Sequence, residues 1–143
     1  MSIGEYFARC HCGSVTARYR TALPVSAWSV RACQCDFCRT HNALSTSDPS
    51  GFLSFQASDP ERVQRYRFGT RTTEFMLCRE CGVYVGARIE TDKGRFGILN
   101  IVTLMPLLAG VPGAQPMNYG AEAAEEKRMR REALWTPLAA DSI

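Results

Sequence analysis

No stretch of this chain holds the roughly 18 consecutive apolar residues that a membrane-crossing helix needs. The nearest approach, residues 98–111, is interrupted by Asn100, Thr103, Pro106 and Gly110. A soluble protein with no membrane partner is expected. The first nine residues lack both a basic start and an apolar stretch of secretory length, so the expected location is the cytoplasm. Charge of one sign is also scarce. Seventeen Lys and Arg stand against 14 Asp and Glu, a surplus of three that is too small to attract a polyanion, and no nucleic-acid partner is expected. Histidine is limited to His11 and His41. Repeats and low-complexity tracts are missing too. At 143 residues and 45% hydrophobic, the chain can bury one core but not two, which predicts a single domain over 1–143.

Cysteine is the residue present in excess. Seven occur, in three tight clusters and nowhere else: Cys10 and Cys12, then Cys33, Cys35 and Cys38, then Cys78 and Cys81. An odd count without an export signal argues against a disulfide framework, and neighbours one or two residues apart bridge each other poorly. Scattered small hydrophobes would not cluster in this way. Close pairs do suit metal ligation, because one turn supplies two soft thiolates at little entropic cost. Zinc is the expected metal.

The pattern between the clusters is mainly that of antiparallel β structure. Residues 14–20 alternate, with Val15, Ala17 and Tyr19 on one face, and predict a strand. A second strand is predicted over 27–32 and a short third over 51–55. Residues 63–68 and 72–77 flank Gly69-Thr70-Arg71 as a hairpin that delivers Cys78. Residues 83–89 and 96–104 flank Thr91-Asp92-Lys93-Gly94 as another. The cysteines are thus expected at strand ends and turns. Only residues 121–135 read as a helix, with Glu126 and Arg130 spaced to pair, Glu122 and Glu126 spaced to repel, and a solvated charged face. Three prolines and two glycines make the stretch before it irregular.

Seven ligands divide naturally into four and three. A closed structural zinc site takes four, whereas a catalytic one keeps a position open. Gly13 follows Cys12 and Gly82 follows Cys81, while Arg39 follows Cys38. A glycine there permits a tight turn with amide hydrogens directed at sulfur. The two glycine-marked pairs, Cys10, Cys12, Cys78 and Cys81, therefore predict one structural zinc. Cys33, Cys35 and Cys38 remain for a second. His41, three residues past Cys38, is a possible fourth ligand, and His11 is expected to point away. If no residue closes the second site, an open zinc with three sulfurs favours an incoming thiolate. Seven thiolates and two dications would bring the net charge to roughly zero, which weakens polyanion binding further.

The order C-H-C-G at 10–13, C-Q-C-D-F-C-R at 33–39 and F-M-L-C-R-E-C-G at 75–82 resembles the family of glutathione-dependent formaldehyde-activating enzymes, which includes centromere protein V. The resemblance covers roughly residues 5–105 and extends to the stretch at 97–104. It implies a β-tent fold, a structural zinc on Cys10, Cys12, Cys78 and Cys81, and a second zinc on Cys33, Cys35 and Cys38. It also implies a carbon-sulfur lyase that joins glutathione or a similar small thiol to formaldehyde or a related aldehyde, as S-(hydroxymethyl)glutathione synthase does. The tail from Met117 onward departs from the family's usual ending. Arg39, Arg65 and Arg67 are candidate docks for the carboxylates of glutathione. The alternative is a non-enzymatic zinc module that binds a protein partner, with both metals structural. The sequence names no general acid and no oligomeric state.

Overall fold

The computed structural model describes residues 2–143. Alternating apolar residues build a three-stranded antiparallel sheet from β1 (Gly4–Arg9), β2 (Val15–Thr21) and β5 (Phe52–Ala57), with β2 in the middle. Its register sets Tyr6 beside Tyr19 and Ala17 beside Phe55. The remaining strands are β3 (Arg31–Cys33), β4 (Ser45–Thr46), β6 (Val63–Tyr66), β7 (Thr73–Cys78), β8 (Tyr84–Thr91), β9 (Gly94–Asn100), β10 (Gln115–Met117) and β11 (Thr136–Pro137). They form a larger sheet in the order β10-β3-β4-β9-β8-β7-β6, with β11 also on β9. All its pairings are antiparallel except β10 beside β3. The helices are α1 (Asp36–Thr40) and α2 (Ala124–Leu134). Among the described residues, no helix is long and apolar enough to cross a membrane.

Two buried clusters cover the large sheet. The first packs it against the small one through Val15, Tyr19, Leu53, Phe55, Met76, Val85 and Leu99. Trp28 stands edge-on to Tyr6 and Tyr19, with centroids 4.9 and 5.3 Å away. Each large side chain so enclosed contributes roughly 1.5–3 kcal/mol. The second cluster joins Phe75, Tyr84, Ala87, Ile89, Ile98 and Trp135 with Cys38. A slip in register between Met76 and Leu77 lets Tyr84 face this second cluster while Val85 faces the first.

Several elements differ from the sequence expectation. The strand expected over 27–32 shrinks to Arg31–Cys33, preceded by a 3-10 turn at Val25–Ala27. Trp28 and Val30 are buried, but the backbone beside them is satisfied by the Thr46 hydroxyl on Ser29 O and by Gln115 N on Val30 O. Residues 101–103 leave the strand as a 3-10 turn, held by the Thr103 hydroxyl on Asn100 O at 2.6 Å. Strand β1 and helix α1 were not expected. A helix of five residues is too short to show a period in sequence. The C-terminal helix starts at Ala124 rather than 121, and its expected Glu126–Arg130 pair does not form. Glu126 instead accepts from Ala123 N at 3.1 Å, and Arg130 grips Glu122 through Nε and Nη2, each at 2.9 Å.

Candidate metal centres and the adjoining cavity

The first cysteine group is assembled from two turns. Cys10 and Cys12 lie just beyond β1, while Cys78 ends β7 and Cys81 follows in the next turn. Their four sulfurs lie within 4.8 Å of one another. Cys12 Sγ is 3.7 Å from Cys10 Sγ and 3.6 Å from Cys78 Sγ. Zinc–sulfur bonds of about 2.3 Å in a tetrahedron place the sulfurs about 3.8 Å apart, so this spacing fits. All seven cysteines are free thiols.

Gly13 and Gly82 have φ of +84° and +78°, the left-handed turns that side chains resist. Their own amides close the turns onto Cys10 O and Cys78 O, at 3.1 and 2.8 Å. Amides that reach sulfur include Val15 N on Cys10, at 3.3 Å, and Glu80 N on Cys78, at 3.4 Å. The expected role of the glycines is thus realised one step removed: they shape the turn, and neighbouring amides serve the sulfurs. The Ser14 hydroxyl and amide beside Cys12 lower its thiol to about 6, while burial pushes Cys78 up to about 11.

The second group is local. Cys33 ends β3, Cys35 caps α1 by accepting from Cys38 N at 3.4 Å, and Cys38 lies within that helix. Cys38 therefore departs from the expectation of strand ends and turns. The three sulfurs lie within 4.8 Å of one another. A hydrogen bond from Cys38 lowers Cys33 to about 5, and the same bond, with burial, raises Cys38.

Neither histidine joins a group. His41 packs at a tilt against Phe37, centroids 4.5 Å apart, and lies against Tyr84 at 5.7 Å. His11 is exposed, as expected of a residue pointing away. Among the described residues, no other Cys, His, Asp or Glu completes the trio. The trio instead opens into a cavity of about 190 Å³. Its walls are largely apolar, with Phe68, Phe75, Ile98 and Trp135, and its cations are Arg31, Lys127, Arg130 and Arg131.

Those cations are not the ones the sequence suggested. Arg39 is bound to Asp36 at 2.8 Å, and Arg65 and Arg67 are bound to Glu74 at 3.2 and 2.7 Å; none lines the cavity. The face of α2 expected to be merely solvated supplies three of the four instead. A signal was available, since 127, 130 and 131 follow the i, i+3, i+4 spacing of one helix face. Arg131 donates from Nη1 to Thr73 Oγ1, and its guanidinium lies 5.1 Å from the centre of the Trp135 ring. Burial, then the neighbouring Arg130 charge, lowers Arg131 to about 10. Tyr84 was also unforeseen. Its buried hydroxyl has no partner, and burial followed by the charges of Cys38, Cys33 and Cys35 raises it well above the usual phenol range.

Two thiol clusters on a mainly β frame, one four-fold and one three-fold and open, define a class of protein able to hold metal through sulfur at two points. The chain belongs to the glutathione-dependent formaldehyde-activating enzyme family, whose model matches residues 5–109. All seven cysteines fall inside that span, whereas Tyr119, Lys127, Arg130, Arg131 and Trp135 of the cavity fall beyond it. A crystal structure of a Rhodobacter sphaeroides protein is similar at a TM-score of 0.55 and 30% identity, covering 77% of this chain and 97% of that one. No curated protein matches the chain.

Proposed function

We propose that this protein is a zinc-dependent carbon-sulfur lyase that joins a small thiol, glutathione or a relative of it, to formaldehyde or a related aldehyde. In this reading Cys10, Cys12, Cys78 and Cys81 hold a structural zinc in a β-tent frame, and Cys33, Cys35 and Cys38 hold a second one. The observation that carries it is a trio of sulfurs with no fourth ligand among the described residues, open to a cavity. Seven free thiols also suit a reducing cytoplasm.

Zinc on the trio would supply a Lewis-acid position that favours a substrate thiol in its thiolate form at neutral pH. The chain's own residues supply the rest. Phe68, Phe75 and Trp135 exclude water around the reacting carbon, and the cavity cations favour the anionic form of the thiol. In the reaction the S–H bond breaks and an S–C bond forms to the carbonyl carbon. The C=O π pair moves to oxygen, which takes up a proton to give the hydroxymethyl thioether. Thiols add to formaldehyde readily without help, so the rate gain required is modest.

Metal analysis with and without glutathione, followed by NMR of 13C-formaldehyde turnover, tests this reading. Two zinc ions per chain and faster formation of the hydroxymethyl thioether than in buffer support it. Two ions with no thiol response and no rate gain would overturn it in favour of a protein-interaction module.

A further inference from the structure

The electrostatics of the cavity are lopsided. Of its four cations, Arg130 is neutralised by Glu122 through a two-point contact. Arg31 and Arg131 have no carboxylate partner among the described residues. Arg31 donates to the Ser47 hydroxyl at 2.7 Å, Arg131 donates to that of Thr73, and Arg131 Nε is buried without any partner. Among the described residues, no Asp or Glu lines the cavity. Lys127 has no carboxylate partner among the described residues either, and three thiolates with one dication would carry a single negative charge, which offsets only one of these three cations.

Keeping a desolvated guanidinium without its counter-charge is costly unless an anion arrives. Arg131 is also pre-positioned. Thr73 fixes one end of its planar fork and Trp135 lies beneath it, so little side-chain freedom remains to be lost on binding.

The size of the cavity narrows the anion. About 190 Å³ is below the roughly 300–1,000 Å³ of pockets that enclose whole drug-sized ligands. Sulfur and anion must therefore share a small space. In a mercaptocarboxylic acid, two or three carbons separate them; in glutathione, the carboxylates stand farther from sulfur, beyond peptide bonds.

We infer that Arg131, with Arg31 of β3, anchors the carboxylate of the thiol substrate, making the protein selective for compact mercaptocarboxylates over neutral thiols and over glutathione. This rests on the reading of the trio as a thiol-binding metal site. Arg131 lies beyond the span matched by the family model and Arg31 inside it, so the selectivity depends on this chain's own C-terminal segment.

Isothermal titration of the zinc-loaded protein tests it, using 3-mercaptopropionate, 2-mercaptoethanol, glutathione and sulfur-free propionate. The expected order places 3-mercaptopropionate about tenfold or more tighter than 2-mercaptoethanol, as one charge-assisted contact implies, and tighter than glutathione. Arg131→Gln should abolish the advantage over 2-mercaptoethanol, and Arg131→Lys should restore part of it. Equal affinity for the charged and neutral thiols in the unaltered protein overturns the anchor and leaves the thiol reading intact. Tighter binding of glutathione than of 3-mercaptopropionate overturns the size selection. If neither thiol binds but propionate binds in an Arg131-dependent manner, the anchor stands and the thiol reading falls. If propionate fails as well, both fall.

Discussion

The sulfurs of Cys12 and Cys78 stand 3.6 Å apart across 66 residues of chain. The turn after β1 and the end of β7 thus meet at their thiols, and a metal there would link the small sheet to the large one. The second trio spans six residues and joins nothing distant.

That contrast predicts unequal damage. Cys81→Ser should give insoluble or metal-free protein, since a structural zinc contributes on the order of 10 kcal/mol to folding. Cys35→Ser should remain folded with about half the zinc, since it disrupts one of the two proposed sites. Metal analysis and thermal unfolding of both variants check this, and equal loss in both would refute the division.

Glu74 gives a pH dependence. Burial tends to raise its carboxyl, but the hydrogen bond from Arg67 and the charges of Arg65 and Arg88 outweigh this and hold it below its ordinary value. A depressed folded value contributes stability that is complete above the unfolded value of about 4.3 and is lost as pH falls through the folded one. Glu74→Gln should cost about 1–3 kcal/mol near pH 7, with the gap to the unaltered protein narrowing below about pH 4. Denaturant titrations of both proteins at the two pH values measure it.

Asn100 is buried where β9 ends. Its Oδ1 accepts from Leu44 N at 3.2 Å and its Nδ2 donates to Tyr84 O at 2.9 Å, fixing the loop behind α1 to β8. Asn100→Ala leaves both backbone groups unpaired, and a loss of about 2 kcal/mol is expected. Because that loop follows Cys38, metal affinity at the trio should fall as well, while the four-cysteine site keeps its ion. Chelator competition separates the two.

Two glycine substitutions should differ in kind. A Cβ at Gly86 would press on the Ile98 carbonyl oxygen and lie 2.7 Å from Phe55 Cζ, in the middle of the large sheet. Gly86→Ala should cost about 1–3 kcal/mol or more through overpacking. At Gly82 nothing lies within 4 Å, so Gly82→Ala bears only the backbone cost of its positive φ, about 1–2 kcal/mol. Urea midpoints of the two variants give the comparison.

The cysteine partition was legible because spacing and the trailing glycines are local chemical signals, and the structure gathers the thiols into those same two groups. The hairpins at 63–77 and 83–100 were legible for the same reason, since their turns carry Gly69 and Gly94 with positive φ. What sequence concealed was tertiary. Trp28 alternates like a strand residue but is buried by aromatic packing without strand pairing. The charges of α2 look evenly mixed along the chain, and only the fold turns Lys127, Arg130 and Arg131 onto the cavity. Arg65 and Arg67 looked available because Glu74, which occupies them, sits on the next strand.

The parallel pairing of β10 with β3 gives the mouth of the cavity one stiff jaw. Gln115 N bonds Val30 O and Gln34 N bonds Met117 O, at 2.9 and 2.8 Å, clamping the approach to Tyr119 against the strand that bears Cys33. The hairpin tip at Gly69 and Thr70 also lines the cavity, and a Cβ at Gly69 would meet nothing within 4 Å. Substitutions at Gly69 or Thr70 would thus alter the lining of the chamber without breaking a strand pairing, whereas those in β10 would disturb the strand that bears Cys33.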